Sequence, residues 1–505
     1  MDIDFIPTDE QLAIAKHIST TRRSLIIKAF AGSAKTTSLA YAIRQAVENN
    51  KLPRDTIALA FNKRIAEELQ QALPSDVKCR TINSIGHGVL ARKLPQLKIN
   101  KRKIGQLINE VAKEAQLPLT SSQWDQTRRL VSLCKTQGLV PPETCDKPKS
   151  VIPFNIQTIG DLCEEYGLVL DELHLYIATI VLARSCELAL RHGEIDFDDQ
   201  IYLPVIYQMP MPRHPLIFVD EAQDLSLLNH TMLERMTFRV VAVGDPYQSI
   251  YGFRGAMQQS MDRLQAKFDA DTLTLSTSFR CAKSIIQHVR NQGIVGIQPW
   301  SEAPDGKVSS LDKWSLEDLP DGAAILCRNN APIMKIAFAC LRRRIPFSIN
   351  GVEFGGMLKN FIKTLGTFET NDELRAALRK WSSEETKKAQ ESANHNKLNM
   401  IEDRVESVEM LLSATKTPLE LFKLIDDIFT TTARPRLILS TGHKAKGLEY
   451  DHVFHLDSWR IPSHFAEEAA AEGRLEPLQQ EMNLRYVISS RARLTLTYID
   501  RSNMR

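Results

Sequence analysis

Ile26-Ile27-Lys28-Ala29-Phe30-Ala31-Gly32-Ser33-Ala34-Lys35-Thr36-Thr37 is the stretch on which the reading of this chain turns. The apolar run Leu25 to Ile27 has the character of a short buried strand. After Thr37, residues Leu39, Ala40, Ala42, Ile43 and Val47 recur at helical spacing. A loop of small residues ending in Lys-Thr joins the two, which is the layout of a phosphate-binding loop. Ala31, Gly32, Ser33, Ala34, Lys35, Thr36 and Thr37 are therefore the candidate nucleotide-binding residues. Backbone N–H groups and the helix N-terminus would face a triphosphate, Lys35 would reach its outer phosphates, and Thr36 would hold Mg2+. Ala34 departs from the pattern, which asks for glycine before the lysine. An ordinary strand-to-helix turn is the competing reading.

Downstream, Pro215-Leu-Ile-Phe-Val-Asp220-Glu221-Ala222-Gln223-Asp224 is a second apolar run, and it ends in two carboxylates. A neighbouring strand of a Mg2+-nucleotide site needs this pair: Asp220 for the metal's water shell, Glu221 to polarise an attacking water. A chance Asp-Glu after a strand is common, but this one follows a candidate phosphate loop. A third run, Val240 to Val243, delivers Gly244-Asp245-Pro246-Tyr247-Gln248, in which Gln248 is placed to sense a γ-phosphate. Tyr251 and Phe253 follow, either to stack on bases or to fill a core.

Upstream, Pro7-Thr8-Asp9-Glu10-Gln11 opens a helix. Gln11 reads either as the far end of a capping box begun by Thr8 or as a contact to an adenine edge. Thr56 to Ala60 is another strand candidate, followed by Phe61-Asn62-Lys63 and a helix through Leu73 that Pro74 stops. Cys79-Arg80-Thr81-Ile82-Asn83-Ser84 repeats the strand-to-helix step. Strands alternating with helices predict a parallel α/β sheet that binds ligands at its carboxyl edge. Phe61, Asn62, Lys63, Thr81, Asn83 and Ser84 fall at that edge, where turn and cap duties compete with ligand contact. From about Leu94 to Arg191 helical patterns take over: Ile104 to Ala115, Ser122 to Cys134, Ile159 to Glu165 and Leu170 to Leu190. Lys98, Lys101, Arg102 and Lys103 precede the first, as a solvated face or as phosphate contacts.

At 505 residues the chain exceeds one core and predicts roughly two to four domains. Hydrophobic content of 43% with 25% charged residues belongs to a folded globular protein. A net charge of only +3 requires any nucleic-acid surface to be local. The expectation is no membrane span, since no uninterrupted apolar run of about 18 residues is present. Met1 to Phe5 lacks a signal-peptide core. The eight cysteines form no CxxC pair and suit free thiols in a reducing cytosol, so a cytoplasmic protein is expected.

The motif order resembles superfamily 1 DNA helicases of the UvrD/Rep type. Lys28-Ala-Phe-Ala-Gly, Ala60-Phe-Asn-Lys-Arg-Ile-Ala and Thr81-Ile-Asn-Ser most resemble the F-box DNA helicase branch, with no F-box expected ahead of them. In the second half, Leu275-Ser-Thr-Ser278-Phe279-Arg280 resembles the motif whose aromatic stacks on adenine and whose arginine meets the γ-phosphate. Here Ser278 replaces the usual asparagine and Phe279 the usual tyrosine. Ala324 to Asn330 and Ile345 to Gly351 resemble strand elements of the second motor domain. Ile438-Leu-Ser-Thr441-Gly442-His443-Lys444-Ala445-Lys446-Gly447-Leu448-Glu449-Tyr450 resembles the segment joining DNA contact (Thr441, His443) to nucleotide contact (Glu449, toward the ribose). Glu481 to Ala492 resembles the last motif, with Arg491 acting on the γ-phosphate and Ser490 where threonine is usual. The family's base-stacking aromatic stands one residue before Phe61, where this chain has Ala60.

The resemblance implies an α/β protein with two RecA-like parallel-sheet motor domains, each carrying a mainly helical insertion, the second reduced. The boundaries are 1–93, 94–191 (insertion) and 192–273 for the first motor domain, and 274–356, 357–434 (insertion) and 435–505 for the second. It implies ATP and Mg2+ as ligands, with Lys35, Asp220, Glu221, Gln248, Arg280 and Arg491 catalytic and Thr36 and Asp220 at the metal. It also implies 3′ to 5′ movement on single-stranded or partial-duplex DNA. Neither a nuclease domain nor a basic partner-binding tail is expected after the last motif. Two other function classes are a DNA-stimulated translocase that does not unwind, and a nucleotide-gated DNA-binding module, the latter suggested by Ala34. A protein partner in repair, recombination or defence is left open.

Overall fold

The computed structural model describes residues 6–60, 62–94, 96–165, 171–250, 259–350, 353–391, 395–429 and 435–505. The chain forms two compact units, Met1–Phe30 with Ala34–Leu275, and Ala31–Ser33 with Ser276–Arg505.

In the first unit, β1 (Leu25–Ala29) leads to helix Lys35–Glu48, β2 (Ile57–Ala60) to helix Lys63–Ala72, and β3 (Lys78–Thr81) to helix Ile82–Lys93. The two-residue strands β4 (Lys98–Ile99) and β5 (Glu194–Ile195) pair with each other and bracket the helical insertion. β6 (Ile217–Val219), β7 (Val240–Gly244) and β8 (Asp271–Leu275) complete a six-stranded sheet ordered β3-β2-β6-β7-β1-β8, parallel throughout. Leu25 and Ile27 pack on one face with Ile14, Ile43 and Phe218. Ile26 packs on the other with Leu59, Val89 and Tyr202. Burial on both faces is why the inner strands β2, β6 and β7 read as unbroken apolar runs, while the edge strands β3 and β8 alternate. Each fully buried Leu or Ile contributes roughly 1.5–3 kcal/mol, so the sheet is a rigid base for the polar loops at its carboxyl edge.

The insertion helices are Lys103–Glu114, Ser121–Gln137, Ile156–Glu165 and Glu172–His192. Leu107, Ile108, Val111, Leu130, Val131, Val181 and Leu182 form its core. Helix Glu172–His192 corrects the membrane argument: by length and composition it could cross a bilayer. Its Ile177, Ala178, Val181, Leu182, Cys186 and Ala189 are instead buried within this unit, which accounts for its apolar character.

In the second unit, β9 (Thr277–Ser278) pairs with β10 (Gln298–Pro299). A second parallel six-stranded sheet uses β11 (Lys307–Leu311), β12 (Ala323–Cys327), β13 (Phe347–Ile349), β14 (Leu437–Thr441), β15 (Tyr450–Leu456) and β16 (Ala492–Ile499). Their order is β11-β16-β15-β12-β14-β13. Helices between β13 and β14 send Leu374, Leu378, Val408, Leu411, Leu421 and Ile425 into the same core as Ile325 and Leu439. The second insertion is thus packed as part of its unit. All eight cysteines are free thiols.

Candidate nucleotide and nucleic-acid sites

The phosphate-binding loop follows β1, and its key residue is Ala34. It adopts left-handed backbone (φ 55°, ψ 42°) and caps helix Lys35–Glu48 without a side-chain hydrogen bond. The first-turn amides therefore keep the donor capacity that an anion at a helix N-terminus uses. Gly32 also has positive φ (75°), and the Ser33 hydroxyl is buried with no hydrogen-bond partner.

Asp220 sits at the end of β6, two strands from β1. Thr36 Oγ1 donates to its Oδ2 at 2.9 Å, and the Glu221 amide donates to its Oδ1 at 2.9 Å. Burial, then the charge of Glu221, pushes the Asp220 carboxyl up to about 6, while Lys35 and Thr36 pull it back. Lys35 Nζ lies 3.9 Å from Glu221 Oε1. A hydroxyl and a carboxylate in contact are hard oxygen donors that fit Mg2+, which takes few protein ligands beside water and phosphate oxygens. No cluster of three His, Cys, Asp or Glu gathers among the described residues.

Glu221 itself has left-handed backbone (φ 53°), a strain of the kind that collects at functional sites. Its carboxylate accepts from Gln223 Nε2, and Gln223 Oε1 accepts from the Asp245 amide at 3.0 Å. Asp245 Oδ2 in turn accepts from Gln248 Nε2 at 2.7 Å. Gly244 is needed here, since a Cβ would stand 2.4 Å from Gln223 Oε1. Behind the turn, Ser260 Oγ donates to the Ala222 carbonyl (2.6 Å), leaving His230 Nε2–H to donate to Ser260 (2.9 Å). Burial, then Arg263, holds His230 down at about 4, so it is neutral. Gln223 and Asp245 stand inside the quoted motifs but received no role from sequence, because only folding brings β6 and β7 side by side.

Gln11 makes both capping-box bonds with Thr8, as one of its two readings has it, and its Nε2 donates to Ser38 Oγ at 2.8 Å. Ser38 donates to the Ala34 carbonyl, so Gln11 braces the loop. At the ends of β2 and β3 the cap reading is also realised. Asn62 accepts from the Ile65 amide (3.0 Å), Thr81 accepts from the Ser84 amide (3.1 Å), and Ser84 Oγ donates to the Thr81 carbonyl. Lys63 is exposed, 3.6 Å from Glu67. Asn83 Nδ2 donates to the Phe197 carbonyl (3.3 Å), which brings an aromatic that is 52% exposed to this polar row. Phe197 was missed; its signal was a lone aromatic among acids, Asp196-Phe-Asp-Asp199. Phe61, Tyr251 and Phe253 lie outside the described residues.

In the second unit, the Phe279 ring is 39% exposed and 6.1 Å from that of Trp300. Arg280 Nε donates to Glu449 Oε2 at 2.6 Å, so two expected nucleotide contacts hold each other. Arg491 is buried, its guanidinium donating to the Val487 and Leu448 carbonyls and to Ser490 Oγ. Residues 31–33 belong to this unit: the Ala31 amide donates to Tyr486 Oη (2.7 Å) and the Phe279 amide to the Gly32 carbonyl (2.8 Å). Thr441 caps a short helix by accepting from the Lys444 amide, and His443 is half-buried beside it.

A phosphate loop and paired carboxylates on the edge of a parallel sheet define a P-loop nucleotide-binding protein. Residues 8–269 match the UvrD/REP helicase N-terminal domain and residues 356–502 the UvrD-like helicase C-terminal domain; the chain belongs to this helicase family. It is 23% identical over 532 residues to F-box DNA helicase protein 1 of Schizosaccharomyces pombe, covering 98% of this chain and 57% of that protein. Identity is 24% over 405 residues with DNA helicase II of Escherichia coli (71% and 53% covered). It is 25% over 385 residues with ATP-dependent DNA helicase PcrA of Leuconostoc citreum (67% and 49%). The chain spans about half the length of these relatives.

Proposed function

We propose that the chain is an ATP-driven motor that moves 3′ to 5′ on single-stranded DNA and separates strands or displaces bound proteins. The observation that carries this reading is the cluster of Lys35, Thr36, Asp220, Glu221 and Gln248 at one sheet edge, together with the family's two domain signatures. Lys35 and the loop amides hold the outer phosphates, Thr36 and Asp220 hold Mg2+, and Gln223 keeps Glu221 aimed to orient water. Phe279 binds the adenine and Glu449 the ribose, while Gln11, buried and bonded to Thr8 and Ser38, braces the loop rather than reaching the base. Arg280 and Arg491 supply permanent positive charge to the γ-phosphate through a planar fork of donors. Asn62, Lys63, Thr81, Asn83, Ser84, Thr441 and His443 meet DNA phosphates, and Phe197 adds a stacking face. The setting is the cytoplasm.

ATP turnover with and without single-stranded DNA tests this, for the native chain and Lys35→Ala. Stimulation by DNA in the native chain, abolished in Lys35→Ala, is expected; native turnover that ignores DNA would sink the motor. A partial-duplex displacement assay beside a translocation assay separates unwinding from travel alone.

A further inference from the structure

Apart from the nucleotide cluster, the first unit contains a cavity of about 540 Å³ where helices Lys103–Glu114 and Ser121–Gln137 meet the Asp196–Asp198 turn. One of its walls is the indole of Trp124. Its Nε1 donates to Asn109 Oδ1 at 2.9 Å, and its Cζ2 lies 2.9 Å from where a Cβ on Gly105 would stand. Glycine inside a helix costs about 1 kcal/mol relative to alanine. Here it lets the indole lie against the helix, with its polar edge tied down and its orientation set.

Phe197 also lines the cavity, with Lys101 Nζ 5.9 Å from its ring centre. The turn that displays Phe197 is anchored from below. Lys135 Nζ donates to Asp196 and Asp199 (both 2.6 Å) and Lys103 Nζ donates to Asp199 (2.7 Å), both lysine side chains being wholly buried. Burial alone would lower Lys135, but the two aspartates hold it charged. An aromatic kept half in water on a locked turn, facing a cavity with an oriented indole, is a stacking arrangement rather than core packing. Exposed Lys101 and Arg102 lie at the mouth with Arg128, and Asp198 brings carboxylate oxygens. Aromatic walls, acceptor oxygens and a cationic mouth match the three parts of a nucleotide: ring face, amino edge and phosphate. A purely apolar ligand would not use the cations, and a bare anion would not use the rings.

We propose that this cavity seats one unstacked nucleotide of single-stranded DNA, its base against Trp124 and its phosphate at Lys101 and Arg102. The bond from Asn83 to the Phe197 carbonyl makes it continuous with the polar row at the sheet edge, so the strand path extends onto the helical insertion. The inference rests on the DNA-motor reading. The test uses the full chain and oligothymidylates carrying a single 5-iododeoxyuridine at successive positions, with ultraviolet crosslinks mapped by mass spectrometry. A crosslink to the peptide bearing Trp124 is expected from one position. Strand binding with crosslinks only elsewhere, at every position, overturns the inference while leaving the motor reading intact. No strand binding at all overturns both. Excess free thymidine monophosphate should leave the crosslink in place; its loss at equal nucleotide concentration would make this a free-nucleotide site and refute the assignment to a strand. Trp124→Ala, with folding checked by circular dichroism, should weaken strand affinity about tenfold, equivalent to about 1.4 kcal/mol of stacking, and Trp124→Phe should recover most of it. Native affinity in Trp124→Ala would refute the site.

Discussion

Ala34 is the residue where sequence and backbone disagree. An alanine in left-handed conformation carries roughly 1 kcal/mol of strain that glycine would not. The strain persists because β1 on one side and helix Lys35–Glu48 on the other are both buried and leave the turn no alternative. Ala34→Gly is expected to raise unfolding free energy by up to about 1 kcal/mol in chemical denaturation and to leave ATP turnover undiminished. A large loss of turnover would show that the methyl group is an adaptation of this loop. Glu221, equally left-handed, differs because its side chain is caught by Gln223, so there the strain fixes a direction.

Among the elements, the insertion is joined to the first sheet through charge. Lys103 comes from one insertion helix, Lys135 from the next, and both converge on Asp199, which opens helix Asp199–Ile206 under the sheet. Removing one partner of a buried ion pair strands the other charge and typically costs about 3–5 kcal/mol. Lys135→Met, similar in length but without charge, is expected to lower the unfolding free energy of the first unit by that order, read as a lower denaturation midpoint. A midpoint unchanged within error would mean the aspartates find other partners. The polar caps at Asn62 and Thr81 belong to the same scale. Each satisfies a helix N-terminus.

For the whole molecule, a net charge of +3 provides no general field for nucleic acid, so the proposed strand binding must come from local features. Ligand binding should be visible as stability. A non-hydrolysable ATP analogue with Mg2+, at a hundred times its Kd, contributes about 2.7 kcal/mol to the folded state. A thermal scan is expected to show an upward shift in the native chain and none in Lys35→Ala. A native midpoint that does not move would argue against nucleotide binding.

The positions of Asp220 and Asn62 just past β6 and β2, and of Lys35 at the helix start beyond β1, were legible in the sequence, because strands buried on both faces must be apolar and polar residues mark where they stop. Helix periodicity likewise located helices Lys103–Glu114, Ser121–Gln137, Ile156–Glu165 and Glu172–His192 to within about three residues at each end. Three features were decided only by tertiary structure: the grip of Gln223 on Glu221 and Asp245, the pairing of Arg280 with Glu449, and the convergence of Trp124 and Phe197 on one cavity. Each joins side chains whose proximity depends on how separate elements pack, and local pattern carries no such information. The apolar helix Glu172–His192 makes the same point. Composition alone allows it a bilayer, while the structure packs one face of it, Ile177, Val181, Leu182 and Cys186, into the cores of this unit.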